Sequence, residues 1–392
     1  MSRQGDSSPG SKPQAVVDGR PLRICMTSAR YFPEAGGTEI HVHEVARRLI
    51  RYGADVTVLS THTPQRLVRE GRMWSQPEDS HEVPLVRVRA WPARRDYYFA
   101  PGMLPLVRRS RADIVHCQGY HTFVAPIVML AALSAGIPYI VSLHSGGHSS
   151  RLRRALRPVQ ARLLRPLLRR ASKVIASSQF EAELFAERTQ LPFGSFAVVP
   201  SGVDLPEPEP QDRHAEPRLL LSMGRVESYK GHHRVLDALS ELNRKRPGIQ
   251  LHVVGTGPYE AELWRRAERL GVSHLLKIAA IPVERRDEMA RLLARAGCVA
   301  MLSDYESQGL AIQEALALGC PLVVTDTTAL NDLRGHPNVR ALPLNATAAQ
   351  VAAAIDEMLD APEVLPPQLT TWDQCARRLL DIYLESLGSR RR

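Results

Sequence analysis

Residues 303–319 read SDYESQGLAIQEALALG and carry two glutamates, Glu306 and Glu314, with seven residues between them. The preceding CVAML predicts a buried strand, and residues 309–318 predict a helix that Gly319 ends. Such a junction offers free backbone N–H groups and the positive end of a helix dipole, which together bind phosphate. Because carboxylates repel phosphate, we expect the two glutamates to bind hydroxyls. Hydroxyls beside a phosphate indicate a sugar nucleotide as the ligand.

This spacing of two glutamates resembles the hallmark of glycosyltransferase family 4, although it also fits a solvated helix face. The resemblance implies that Glu306 contacts hydroxyls of the transferred sugar and is a catalytic residue. It implies that Glu314 contacts the ribose of the nucleotide. It also places the donor against the backbone at Gly309 and Leu310.

A second motif, LLLSMGRVESYKGHHRVLDAL at residues 219–239, predicts a strand, a glycine turn and a helix, with Arg225 and Lys230 in the turn. In the family these two cations bind the diphosphate of the donor, and fixed cations stabilise the charge that develops on such a leaving group. The simpler interpretation is a basic surface loop. Residues 251–263 lack the third glycine of a dinucleotide fingerprint, so an NAD site is not favoured.

The glycine pair Gly36 and Gly37 lies inside residues 22–61, which read as strand, glycine loop, amphipathic helix and strand. Glycines allow a ligand to approach the backbone closely. The resemblance places this loop against the donor phosphates, across a cleft from Arg225 and Lys230. The alternative is a tight turn that requires a positive φ.

His144 ends the apolar strand in YIVSLHSGGH, residues 139–148. Ligands bind at the ends of strands in open α/β sheets. In the family a histidine at this point approaches the donor sugar, so His144 is the second expected catalytic residue. His148 follows four residues later and is a further candidate. We expect the acceptor to bind near Gly37 and His144.

The length of 392 residues suits two domains, and strand and helix patterns alternate from residue 22 to about residue 360. This pattern predicts two doubly wound α/β domains, and the resemblance implies the GT-B fold, in which two Rossmann-like domains face each other across a cleft. The predicted division is a disordered tail at 1–20, an acceptor-binding domain at 21–205, a linker at 206–217, a nucleotide-sugar-binding domain at 218–365, and a helix at 372–387 that returns to the first domain.

The net charge of +10 is concentrated in residues 151–173, RLRRALRPVQARLLRPLLRRASK, which contain no acidic residue. A basic amphipathic helix of this kind favours an anionic membrane surface. The alternative is that its leucines pack on the first domain while the arginines are solvated. Nucleic acid is not favoured as a partner because few aromatic residues interleave with the arginines and no binding module is present.

The five cysteines are widely scattered, show no metal-binding spacing, and are expected to be buried thiols in a reducing compartment. The resemblance implies no metal and no cofactor besides the donor substrate. Residues 1–20 lack the apolar core of a secretory signal. The uncharged residues 123–143 contain Pro126, Gly136 and Pro138, and they predict a helix, a turn and a buried strand instead of a membrane span. We expect a cytoplasmic protein, with peripheral contact to the inner face of the cell membrane as the open question.

The function that the resemblance implies is retaining transfer of a hexosyl unit from a nucleotide-diphosphate sugar to an acceptor hydroxyl. A lipid-linked, cell-envelope or exopolysaccharide glycan is the favoured acceptor. The alternatives are a soluble acceptor such as an antibiotic aglycone or aminocyclitol, a sugar-nucleotide hydrolase or epimerase of the same fold, and a protein that only binds carbohydrate. Two departures from the family pattern, ESQG at 306–309 and TDTTALNDL at 325–333, leave the sugar and the nucleotide undefined.

Overall fold

The computed structural model describes residues 14–33, 36–61, 75, 78–80, 82–91, 98–146, 151–209, 216–282, 285–362 and 364–388. For residues 78–80 and 151–157 it describes the backbone alone. The chain forms two α/β domains, each built on a largely parallel sheet with helices on both faces. The predicted fold class is therefore confirmed.

The first domain contains an apolar sheet that is covered on both faces. Its strands, together with those of a short hairpin before it, are β1 (Val16–Val17), β2 (Arg20–Pro21), β3 (Arg23–Ser28), β4 (Asp55–Thr61), β5 (Glu78–Ser80), β6 (Val83–Val88), β7 (Ile114–Gln118), β8 (Tyr139–Ser142), β9 (Lys173–Ala176) and β10 (Phe196–Val198). Within the described residues the sheet order is β10-β9-β8-β7-β3-β4-β6-β5, and only β5 pairs antiparallel to its neighbour. Strands covered on both faces need continuous apolar runs, as in IVHCQ and YIVS.

The second domain contains a six-stranded sheet in the described residues, and every neighbouring pair is parallel. Its strands are β11 (Glu216–Met223), β12 (Gln250–Val254), β13 (Leu276–Ala279), β14 (Ala296–Met301), β15 (Leu322–Thr325) and β16 (Val339–Leu342). Their order is β13-β12-β11-β14-β15-β16. The order reverses beside β11, and such switch points open a crevice at the carboxyl ends of the strands.

Helices cover both sheets. Those of the first domain are α1 (Gly37–Arg51), α2 (Met103–Arg109), α3 (Val124–Ser134), α4 (Arg151–Leu168) and α5 (Gln179–Thr189). Those that follow are α6 (His232–Lys245), α7 (Glu260–Arg269), α8 (Arg286–Arg295), α9 (Leu310–Ala317), α10 (Ala348–Leu359) and α11 (Trp372–Gly388). Residues 123–143 form α3, a turn and β8, in agreement with the sequence-based prediction. Among the described residues, no helix combines the length and the apolarity needed to cross a bilayer.

Helix α11 follows the second domain in the chain but packs against α1 in the first. Its Cys375, Leu379 and Tyr383 are buried in the same apolar cluster as the residues of β3 and β4. At its start, Arg48 of α1 bonds Asp373, and Trp372 N donates to Asp204 Oδ1 at 2.5 Å. The helix therefore completes the first domain after the chain has crossed to the second and back.

The predicted disorder of residues 1–20 does not extend to the residues that the structure describes from 14 onward. Strands β1 and β2 form an antiparallel hairpin, and Ala15 is fully buried. The prediction was wrong for this part because Ala15 bonds the backbone of Tyr52 at the end of α1. Residues 1–13 lie outside the described residues.

Candidate functional site

A cavity of about 790 Å³ lies between the two domains, at the carboxyl ends of both sheets. Every candidate residue that the sequence analysis singled out and that the structure describes lines this cavity. These residues are Gly36, Gly37, His144, Arg225, Lys230, Glu306, Gly309, Leu310 and Glu314. His148 lies outside the described residues. Residues from motifs almost 280 positions apart in the chain therefore converge on one site.

The glycine loop contributes the first-domain wall of this cavity. Gly36 has a φ of −156°, so the alternative that this turn requires a positive φ was wrong. A Cβ at this position would lie 2.8 Å from Oε2 of the buried Glu39, so a larger residue would require the end of that side chain to shift. Arg30, which the sequence analysis did not single out, pairs with Glu39 Oε1 at 3.0 Å and also lines the cavity. A Cβ on Gly37 would lie 3.9 Å from Leu310 Cδ2, so the loop faces the second domain directly.

Gly309 turns the chain from the Glu306 segment into α9. Its φ of 74° is in the left-handed region, and a Cβ there would lie 2.8 Å from Leu330 Cδ2. Leu310 and Ala311 form the first turn of α9 and line the cavity. The N–H groups of this turn have no partner within the helix, so they give the cavity wall a positive partial charge.

Lys230 and Glu306 form an ion pair in the cavity wall, with 2.7 Å between Nζ and Oε1. Burial disfavours the charge of Lys230, but the attraction of Glu306 outweighs it and raises the pKa of Lys230. The backbone N–H of Glu306 donates to Thr328 Oγ1 at 2.9 Å. Thr328 belongs to the segment in which the sequence departs from the family pattern, and here it holds the Glu306 backbone in place.

Arg225 extends the positive charge beside Lys230. Its Nη1 lies 2.8 Å from Glu227 Oε1, and its Nη2 donates to the Tyr229 hydroxyl at 3.1 Å. Both partners come from the same turn between β11 and α6. The turn therefore holds the guanidinium against the cavity, where an anion could bind it.

Glu314 of α9 is 3% exposed and forms an ion pair with Arg286, the first residue of α8. Burial raises the pKa of Glu314, and the nearby guanidinium opposes that rise. Arg286 belongs to none of the motifs found in the sequence. The sequence offers only a weak indication of its role. Arg286 begins the helix that follows β13 and therefore lies at the same sheet edge as the other site residues.

His144 is held in a strained and neutral state. Its φ of 43° is unusual for a residue other than glycine. Its Nε2 lies 2.7 Å from Gln118 Oε1, and an amide oxygen can only accept, so Nε2 carries the proton. Burial lowers the pKa of His144 to about 4. At neutral pH the remaining ring nitrogen, Nδ1, is therefore an acceptor for a hydroxyl.

Residues that flank Glu306 also bond the first domain, which the sequence analysis did not foresee. The pairs are the Tyr305 hydroxyl with Ser145 Oγ (2.7 Å), Ser178 Oγ with the Ser307 carbonyl (2.5 Å), and the Gln308 amide with the Ser201 backbone (2.9 and 3.0 Å). The family's glycine and aromatic residue are absent from ESQG, and the residues in their places contact the opposite domain.

Exposed apolar side chains line the first-domain side of the cavity. Phe123, Val159 and Leu163 line the cavity and are 50%, 54% and 74% exposed. Phe99, 49% exposed, packs edge-to-face on Phe123 with 6.3 Å between ring centroids. This apolar rim, formed by Phe99, Phe123, Val159 and Leu163, also went unnoticed in the sequence.

Helix α4 carries half of the apolar rim and most of the basic stretch. Its Leu164 and Leu168 pack in the first-domain core, whereas Leu163 points outward. Arg162 and Arg169 are exposed beside them. Three of the four leucines whose side chains are described, Leu164, Leu167 and Leu168, therefore pack on the first domain, and Leu163 is exposed.

No group of three or more His, Cys, Asp or Glu side chains in the described part of the chain is placed to hold a metal ion. The charged groups described above that line the cavity are joined there by Arg285. This set can bind a diphosphate through its cations and hydroxyls through its carboxylates.

Comparison with known proteins covers nearly the whole chain. The model of Glycosyltransferase Family 4 matches residues 35–207, and that of Glycosyl transferases group 1 matches residues 206–377. The chain is 30% identical to glycogen synthase of Mycobacterium tuberculosis over 87% of both chains. It is 28% identical to D-inositol 3-phosphate glycosyltransferase of Nocardiopsis dassonvillei, covering 93% of this chain and 94% of the relative.

A solved structure supports the fold independently. Anabaena HepE, crystallised in complex with UDP and glucose, superposes with a TM-score of 0.69 at 19% identity, covering 94% of this chain and 98% of HepE. The sequence-based identification of the family and of a transferase activity is confirmed. The chain belongs to the GT-B glycosyltransferases, with a family 4 region followed by a group 1 region, and is a nucleotide-sugar glycosyltransferase.

Proposed function

We propose that this protein transfers a hexosyl unit, with retention of anomeric configuration, from a nucleotide-diphosphate sugar to a hydroxyl of a lipid-linked cell-envelope glycan. One observation carries the donor half of this proposal. Arg225, Lys230, Glu306 and Glu314 line a single cavity between the domains. Two cations suit a diphosphate, and two carboxylates suit the hydroxyls on either side of it.

The cations would act on the leaving group. As the bond between the anomeric carbon and the phosphate oxygen breaks, its electron pair moves to the diphosphate, and Arg225 and Lys230 stabilise the added charge. The acceptor oxygen attacks the same face of the sugar and passes its proton to the departing phosphate oxygen. No protein nucleophile takes part. Lys230 would exchange its bond to Glu306 for the phosphate, which leaves the Glu306 carboxylate to accept from sugar hydroxyls.

The remaining residues would orient the donor. Nδ1 of His144 would accept a hydrogen bond from a sugar hydroxyl, since Nε2 is committed to Gln118. Glu314 would bind the ribose hydroxyls, held in place by Arg286. Buried hydrogen bonds of this kind fix the reacting atoms in one arrangement.

The apolar rim supports the choice of a lipid-linked acceptor. It adjoins the cavity on the first-domain side, and the exposed Arg162 lies next to Leu163 on α4. Exposed apolar side chains beside cations bind the surface of an anionic membrane. A lipid-linked acceptor would then present its hydroxyl to the cavity from the membrane, and the enzyme would be peripheral.

The donor assignment is tested with Lys230→Ala and Glu306→Ala, compared with Lys277→Ala, which removes an exposed lysine of the same domain. Thermal shifts with UDP-glucose, ADP-glucose and GDP-mannose would identify a donor that stabilises the wild type. Transfer by Lys230→Ala should fall about 100-fold or more, whereas Lys277→Ala should match the wild type. Near-normal transfer by both cavity variants would exclude this site. Release of nucleotide diphosphate from the donor at full rate without acceptor would instead indicate a hydrolase.

The acceptor assignment is tested by co-sedimentation with vesicles of phosphatidylglycerol and of phosphatidylcholine. Binding should require the anionic lipid and weaken with salt. Leu163→Ser should reduce binding, whereas Leu365→Ser, which changes an 89% exposed leucine between the second domain and α11, should not. Absence of binding to the anionic vesicles at low salt would favour a soluble acceptor.

A further inference from the structure

Gln308 joins the Glu306 segment to the first domain through the oxygen and the nitrogen of its side-chain amide. Its Oε1 accepts from Ser201 N at 2.9 Å, and its Nε2 donates to Ser201 O at 3.0 Å. Gln308 is 5% exposed, and Gln313 of α9 bonds both its Nε2 and its carbonyl oxygen. A side chain fixed from both sides in this way leaves its backbone little freedom to move.

The same contact continues toward His144. Ser201 Oγ bonds Nδ1 of His41 at 2.9 Å, and the His41 ring packs edge-on against the His144 ring with 4.7 Å between centroids. Glu306 lies two positions before Gln308. One chain of contacts, Gln308 to Ser201 to His41 to His144, thus spans the cleft between the two residues expected to contact the sugar.

We infer that Gln308 is a positioning residue for the transfer reaction: its clamp on Ser201 sets Glu306 and His144 at their working separation and holds the cleft closed. The two hydrogen bonds form only when the domains approach, because the partners belong to different domains. Closure excludes water from the reacting centre, which favours transfer over hydrolysis. The part of this inference that concerns catalysis rests on the proposed roles of Glu306 and His144. The effect of Gln308 on closure of the cleft does not depend on those roles.

Gln308→Leu is the decisive variant because it keeps the volume of the side chain and removes both bonds to Ser201, together with the Nε2 bond to Gln313 of the same domain. Gln179→Leu is the control, since Gln179 is exposed on α5 and its amide bonds Glu183 of the same helix. Small-angle X-ray scattering of the full chain should show a larger radius of gyration for Gln308→Leu than for the wild type or the control. This readout requires no substrate, so it remains decisive even if the donor assignment fails.

Kinetics give the second readout. With the donor identified by thermal shift, Gln308→Leu should lower kcat about tenfold and raise the ratio of donor hydrolysis to transfer. The Kd for the nucleotide diphosphate should stay within about twofold, since Gln308 does not carry the diphosphate. Ser201→Ala removes the link to His41, and it should cost much less in the Gln308→Leu background than alone. Unchanged scattering and an unchanged hydrolysis ratio in Gln308→Leu would overturn the inference, as would a loss confined to nucleotide affinity.

Discussion

Arg286 and Glu314 form an ion pair inside the interdomain cavity, although only the glutamate belongs to the pattern by which the site was found. Glu314 is 3% exposed and therefore depends on a partner to remain charged. Arg286 thus supports the proposed ribose site without being part of the family motif.

We predict that Arg286→Ala destabilises the fold by about 3 kcal/mol at pH 7, because it leaves a buried carboxylate unpaired. Nucleotide diphosphate affinity should fall as well. Burial already raises the pKa of Glu314, and loss of the guanidinium would raise it further. The folded state then holds the extra proton, so the deficit relative to the wild type should shrink as the pH falls. Urea unfolding of the wild type and of Arg286→Ala at pH 5 and pH 8 measures this difference in the free energy of unfolding.

Glu314→Gln provides the control for that experiment. In the Arg286→Ala background it removes the unpaired charge, so stability should recover while donor affinity does not. Recovery of neither would show that Arg286 stabilises the fold through contacts other than Glu314.

Gly36→Ala should weaken the glycine loop through overpacking. Its Cβ would lie 2.8 Å from Glu39 Oε2, so the end of that buried side chain must shift, and we expect a loss of about 1 kcal/mol together with weaker donor binding. Gly194→Ala is the matched control, because a Cβ there meets nothing within 4 Å. Equal stability of the two variants in urea would show that the loop adjusts freely.

Thr328→Ala should reduce transfer without changing nucleotide affinity, because Thr328 Oγ1 accepts the Glu306 N–H and takes no part in binding the diphosphate. We expect kcat to fall about fivefold, the usual worth of one such hydrogen bond. Thr328→Ser keeps the hydroxyl and should retain activity. Loss of activity in the serine variant as well would point to the methyl group instead of the hydrogen bond.

His116 and His144 should make the fold sensitive to acid. Burial lowers the pKa of His144 to about 4 and that of His116 to about 3. The unfolded chain therefore takes up protons first, and stability should be lost as the pH falls from about 6.5 to about 4 for His144 and to about 3 for His116. His144→Asn tolerates the left-handed backbone and should remove about 3 kcal/mol of this loss.

Thermal unfolding between pH 7 and pH 4 tests the acid sensitivity, with His274→Asn at an exposed position as the control. The His144→Asn curve should be flatter than that of the wild type, and the His274→Asn curve should not. Parallel curves for all three proteins would show that His144 does not contribute to the loss of stability in acid.

Sequence patterns located the residues whose position follows from local structure. Arg225 and Lys230 lie in the turn after an apolar strand, and Glu306 and Gly309 lie in another, so the parallel fold alone brings them to one edge. Their roles in binding the donor remain predictions.

The pattern could not give contacts between distant elements. Gln308 and Ser201 are 107 residues apart, and nothing in ESQG indicates which backbone unit its glutamine will meet. Arg286 likewise has no motif that connects it with Glu314. The sequence showed only that ESQG lacks the glycine and the aromatic residue of the family pattern. In the structure, Gln308 of this segment forms a contact across the cleft.

Helix α11 fills the first-domain core, yet the ribosome synthesises it after the entire second domain. During translation the second domain can therefore reach its native packing while the first still exposes the apolar groove beside α1. The domain that begins the chain must finish folding later, and until α11 is synthesised the apolar residues that it covers beside α1 stay exposed to water.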